Sequence, residues 1–127
     1  MIKWFERHYR ISWIITFLIA IIIFYISSLT FQPLSGSGGG IGLKALLYHI
    51  IAFFLLAFFL SVSLVKGKNL KYIFIAIIAA VLYGISDEIH QSFVPGRVPS
   101  FFDLFLNTSG IILAITIYIF ILALRKD

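Results

Sequence analysis

Apolar residues run along this chain in long blocks and seldom alternate with polar ones. Four blocks stand out, at residues 11–29, 45–65, 72–86 and 101–124. Each approaches the roughly 20 residues that a helix needs to cross a bilayer. Backbone groups in lipid have to be satisfied within the segment, and short alternating runs are too few for a barrel, so the blocks predict helices despite their many Ile and Phe residues. The third block runs into a polar stretch, and its helix is expected to continue through it. Ala76, Ala80, Gly84 and Glu88 recur every four residues, while Asp87 and Gln91 continue the line from Gly84. Small residues at this spacing let membrane helices approach closely. The face that carries the acids is therefore a packing face, and the carboxylates should look into the bundle.

Composition makes lipid the solvent. The chain has 127 residues, 61% hydrophobic and 12% charged, against about 45–50% and about 25% in soluble domains. A chain of this size has too little interior to hide that much apolar surface from water. A single domain over residues 1–127 is expected. Cysteine is absent, which excludes disulfides and thiolate chemistry. A net charge of +5 would point to nucleic acid in a soluble protein. Here the charge follows the connections between blocks, so the expected partner is the bilayer and not nucleic acid. Lys3, Arg7, Arg10, Lys66, Lys68, Lys71, Arg125 and Lys126 fall on one side of a four-span bundle, leaving only Lys44 and Arg97 on the other. Cytoplasmic loops collect Lys and Arg, so both termini are expected in the cytoplasm of a bacterial cell. The first block exceeds a signal peptide's 7–15 apolar residues and three more follow, so an uncleaved first helix is expected. His8 reads as an ordinary cytoplasmic residue.

The polar exceptions then share one depth. "GISDEIHQSFVPGRVPSFFDLFLN" (84–107) holds three of the five acids. Asp87 lies about 22 Å along the helix from Tyr72 at 1.5 Å per residue, near the outer headgroup region of a core about 30 Å thick. His90 is three residues from Asp87, close enough for a same-side contact. Pro95-Gly96 signals a type II turn. Ser100-x-x-Asp103 has the form of a capping box that restarts a helix. Asn107 follows Asp103 by four residues, above Gly110 and Ala114. Lys44, Tyr48 and His49 open the second span at the same depth. Ionisable groups at membrane depth are expensive and default to function. "GSGGGIGLK" (36–44) lacks the Lys-Ser or Lys-Thr and the preceding strand of a phosphate loop, and reads as a flexible external linker.

"YGISDEIHQSFVPGRVPSFFDLFLNTSG" (83–110) resembles the VanZ-like family of small bacterial membrane proteins. The shared features are an Asp-Glu-x-x-Gln core, a Pro-Gly-Arg turn, and Asp and Asn four residues apart before a Gly. Lys44 and His49 at the start of the second span fit as well. The resemblance implies association with low-level resistance to the glycopeptide teicoplanin. It implies no biochemical mechanism.

The fold expected is an all-α integral membrane protein, a four-helix transmembrane bundle with a polar site at the extracytoplasmic ends of spans two to four. Two functional readings follow. In the first, an envelope enzyme acts on a lipid-linked molecule. Asp87 or Glu88 is the general base, and His90 or His49 the proton donor. Arg97 and Lys44 hold phosphate or carboxylate. Asp103 and Asn107 orient the groups, and Tyr48 and Gln91 complete the substrate-binding set. Asp, Glu and His also suit metals, but the spacing is not that of a zinc-protease motif, so metal and cofactor stay unassigned. In the second reading the pocket binds a lipid or glycopeptide without bond breaking, or relays protons in a small transporter. A transporter of four spans would be expected to self-associate.

Overall fold

The computed structural model describes residues 1–30 and 42–125. Most of the glycine-rich stretch read as a linker, and Lys126, lie outside the described residues. Five helices follow in order: α1 (Ile2–Arg7), α2 (Tyr9–Ser27), α3 (Leu43–Val65), α4 (Tyr72–Gln91) and α5 (Phe101–Ala123). Helices α2 to α5 are long and apolar enough to cross a membrane, the pattern of a multi-pass membrane protein. They coincide with the four predicted blocks. Helix α4 runs through the charged stretch to Gln91, as the small-residue spacing required. Helix α1 was not expected. It has only six residues, too few for apolar periodicity to register.

Helix α3 is the centre of the bundle. It packs against α2, α4 and α5, and most extensively against α5. Gly110 is the reason for the last contact. A Cβ on Gly110 would run into the Ile50 carbonyl oxygen, so the two backbones touch where no side chain fits. The predicted stripes are buried as expected: Ala76 and Ala80 on α4, and Gly110 and Ala114 on α5. They pack with Phe53, Leu56, Ala57, Ile111 and Tyr118. The opposite faces expose Phe17, Ile21, Phe74, Ile78, Ile112 and Phe120. An all-round apolar exterior of this kind suits hydrocarbon as the surrounding solvent.

Two sets of bonds fix which helix ends lie together. The Tyr83 hydroxyl donates to the Ala20 carbonyl at 2.6 Å, and Arg97 donates to the Ile26 and Leu29 carbonyls at 3.1 Å each. The C-terminal ends of α2 and α4 therefore share one end of the bundle. At the other end Arg125 pairs with Glu6 at 2.6 Å, which brings the two chain ends to the same side. The turn between α4 and α5 has the expected form. Arg97 donates its N–H to the Val94 carbonyl at 3.1 Å, and Gly96 takes a φ of +80°. That angle is the one a type II turn demands at its third position.

Candidate functional site

The polar residues singled out by sequence come mainly from the N-terminal turns of α3 and α5 and the C-terminal turns of α4. Helix packing brings most of them together. His49, Asp87, Glu88, Gln91 and Asn107 are all buried, with Asn107 0% and Gln91 2% exposed. His49 Nδ1 and Asn107 Oδ1 lie 2.9 Å apart, linking α3 to α5. With the amide in this orientation the imidazole donates from Nδ1. The other ring nitrogen then faces Asp103, with Nε2 3.7 Å from Oδ2. A histidine fixed by one partner and turned toward a carboxylate by the other is a group able to accept or deliver a proton.

On α4, Asp87 and Glu88 point to different partners. The Gln91 amide donates to Asp87 Oδ2 at 3.0 Å and reaches the Ser27 hydroxyl at 3.4 Å, bridging α4 to α2. Glu88 Oε2 accepts the Ser100 backbone N–H at 3.0 Å. This bond changes the expected capping box. Ser100 does cap α5, its hydroxyl accepting from the Phe102 and Asp103 amides. The reciprocal bond to the Ser100 N–H, which the motif assigns to the residue three positions on, comes instead from Glu88 on the preceding helix. A carboxylate at a helix N-terminus satisfies an orphan N–H and meets the favourable end of the macrodipole. Asp103 is thereby left to face His49.

Among the described residues, three buried polar atoms in this cluster have no hydrogen-bond partner: the Tyr48 hydroxyl, Glu88 Oε1 and Asn107 Nδ2. They are contributed by α3, α4 and α5. Asp87, Arg97 and Tyr83 lie within electrostatic range of the Tyr48 hydroxyl. Beside Glu88 a groove of about 320 Å³ opens between α4 and α5, walled by Ile85, Ile89 and Leu104.

Three of the expected site residues lie at the edge of this convergence and direct their hydrogen bonds elsewhere or stand exposed. His90 stacks on Phe24 with ring centres 4.4 Å apart and bonds the Ser28 hydroxyl at 2.9 Å, so its hydrogen bond goes to α2 and not to Asp87. Arg97 is half-buried, and its guanidinium caps the last carbonyls of α2, groups that a helix end leaves without internal partners. Lys44 is exposed on the first turn of α3. Among the described residues no group of three or more His, Asp or Glu side chains is gathered to hold a metal ion.

Sequence reading missed three residues. Ser27 and Ser28 join the cluster from the end of α2; the signal was two adjacent serines ending the first apolar block at the same depth. Glu6 lies at the opposite end of the bundle, 8% exposed. It accepts from the Tyr118 hydroxyl at 2.9 Å and from Arg125 at 2.6 Å, and Tyr118 in turn accepts from the Gly67 N–H at 3.3 Å. One acid among N-terminal basic residues was the available signal there.

A compact all-helical bundle, four of its helices suited to spanning a membrane and a buried polar cluster at one end, defines a small multi-pass membrane protein. The chain belongs to the VanZ/LLP1 family, whose sequence pattern matches residues 5–122. The matched span takes in every residue of the cluster. No curated protein and no solved structure matches the chain.

Proposed function

We propose that this end of the bundle binds a lipid-linked molecule of the bacterial cell envelope, on the extracytoplasmic side of the plasma membrane. The observation that carries the reading is the set of three unpartnered buried atoms on Tyr48, Glu88 and Asn107. Folded proteins pair roughly 90% or more of such atoms, and each one left bare costs about 1–3 kcal/mol. Three on three helices within one polar cluster support a bound ligand there, with Glu88 on the groove between α4 and α5 and Tyr48 on one between α2 and α3. The ligand has to accept from the Asn107 amide and offer a donor to Glu88 Oε1, with Tyr48 able to do either. Headgroups rich in hydroxyl and amide groups meet that description. The basic residues gathered at the opposite end support a cytoplasmic location for both termini, which turns the cluster outward. The family's association with glycopeptide (teicoplanin) resistance fits an envelope ligand.

A second reading rests on the His49–Asp103 pair. With Nδ1 held by Asn107, Nε2 and the Asp103 carboxylate form a pair able to take a proton from the bound molecule, which would then also be turned over there. The test compares envelope lipids, peptidoglycan precursors and glycopeptide susceptibility in cells lacking the chain and in cells restored with it. Asp87→Asn, Glu88→Gln and Tyr48→Phe, present in the membrane at normal amount, are expected to behave like the deletion. Restoration by all three would sink the reading. A His49→Gln variant that still binds the ligand but fails to restore the profile would favour turnover over simple binding.

A further inference from the structure

The groove beside Glu88 has an order along its depth that the polar cluster does not explain. On α4 its wall runs from Ile85 and Ile89 to Ser92, and on α5 from Leu104 to Phe101 and Ser100, so it is apolar toward the middle of the helices and polar at their ends. Pro99 closes the polar end. Glu88 lies between Ile85 and Ile89, one turn before Ser92, 7% exposed, with Oε1 unpartnered among the described residues. Ile89 and Phe101, 56% and 93% exposed, stand on the outer surface of the bundle, so the groove opens sideways toward lipid. An amphiphile embedded in a bilayer has the same order of apolar and polar parts. The volume of about 320 Å³ lies at the small end of the range for ligand pockets, about 300–1,000 Å³.

We infer that the α4–α5 groove holds the hydrocarbon chain of a membrane lipid whose hydroxyl or ammonium group is bonded to Glu88 Oε1. This deepens the site reading above and rests on it. The charge around Glu88 selects the headgroup. Of the charges that act on it, Asp103 and Asp87 each outweigh the opposing His49, so the local field opposes a phosphate or carboxylate at this point. The Ser100 N–H at the start of α5, which would otherwise attract an anion, already belongs to Glu88 Oε2. A neutral or cationic donor completes the carboxylate, and a charge-assisted bond of this kind is about twice as strong as a neutral one.

The experiment uses the purified full chain in lipid nanodiscs. Three photoreactive probes of equal chain length are compared: a long-chain alcohol, a long-chain amine and a plain hydrocarbon. Labelled positions are mapped by mass spectrometry. The alcohol or the amine is expected to label Ile85, Ile89 or Leu104 about tenfold more than the hydrocarbon does, the low end of the step from no headgroup bond to a charge-assisted one. Which of the two labels more strongly identifies the headgroup. Glu88→Gln should remove most of that advantage. Ile89→Trp, which disturbs no hydrogen bond, should block labelling at Leu104 by filling the mouth. Equal labelling by all three probes, or a groove that stays unlabelled, overturns the inference. If the groove stays unlabelled while Tyr48→Phe and Asp87→Asn still change the envelope profile, the inference falls and the site reading stands. If the groove labels as expected while those variants restore the wild-type profile, the lipid site stands and the envelope reading falls.

Discussion

Gly110→Ala should lower stability by about 2 kcal/mol, although alanine is the better helix former by about 1 kcal/mol. The added Cβ would lie 3.0 Å from the Phe54 nitrogen and 3.1 Å from the Ile50 carbonyl carbon, and closer still to the Ile50 carbonyl oxygen. All three are backbone atoms, so no side chain can turn away. An ordinary C···O contact of about 3.3–3.6 Å is regained only if α5 backs off α3 by about 1 Å. Roughly 40 atom pairs at such a crossing, each losing about a third of a ~0.15 kcal/mol well, amount to about 2 kcal/mol. Asn107 lies one turn from Gly110, so the same shift stretches its 2.9 Å bond to His49. Loss of that bond adds about 1 kcal/mol. The propensity gain of about 1 kcal/mol offsets part of the sum and leaves about 2. Gly84→Ala is the control. Its Cβ would meet the edge of the Phe53 ring at 3.2 Å, where a shift of a few tenths of an ångström suffices, and Asn107 Cβ at 3.7 Å, an ordinary contact. That variant should stay within about 1 kcal/mol of wild type. Equilibrium unfolding of the purified chain by SDS titration in mixed micelles measures both. A Gly110→Ala protein as stable as wild type, or more so, would refute the close-contact account.

Tyr48→Phe should be as stable as wild type or up to about 1 kcal/mol more stable, because the hydroxyl it removes has no partner. Destabilisation beyond that range, in the same titration, would mean that the hydroxyl serves the fold and not a ligand. Tyr118→Phe should destabilise by about 1–3 kcal/mol, since it strips one donor from the buried Glu6 and strands the Gly67 N–H; an unchanged unfolding midpoint would deny the Glu6 cluster a structural role. For topology, the chain's lack of cysteine lets single cysteines report cleanly. A cysteine at Val98, 81% exposed, should react with an impermeant thiol reagent on intact cells, and one at Lys68 only after permeabilisation. The reverse pattern would invert the orientation.

Much of this protein was legible in one dimension. Lipid as solvent forces helices, and four apolar blocks of spanning length place α2 to α5 within a few residues. The repeat of Ala76, Ala80, Gly84 and Glu88 announced the buried face of α4, because a period near four is one face of a helix. Pro95-Gly96 and Ser100 declared the turn and the cap through local chemistry alone. What sequence could not decide was which polar group meets which. A capping box is a local rule, and it assigned the Ser100 N–H to residue 103; a helix packed alongside supplied Glu88 instead. Spacing along α4 placed His90 near Asp87, and it does stand within electrostatic range, but its hydrogen bond and ring stacking go to Ser28 and Phe24, more than 60 residues away in sequence. Arg97 gave hydrogen bonds to the carbonyls at the end of α2, and Glu6 joined Arg125 across the whole length of the chain. Periodicity fixes which face of a helix turns inward, because that depends on a residue's own neighbours along the chain. Partner choice depends on which helix arrives opposite, and only the packed bundle brings Tyr48, Glu88 and Asn107 into one cluster with their hydrogen bonds left open.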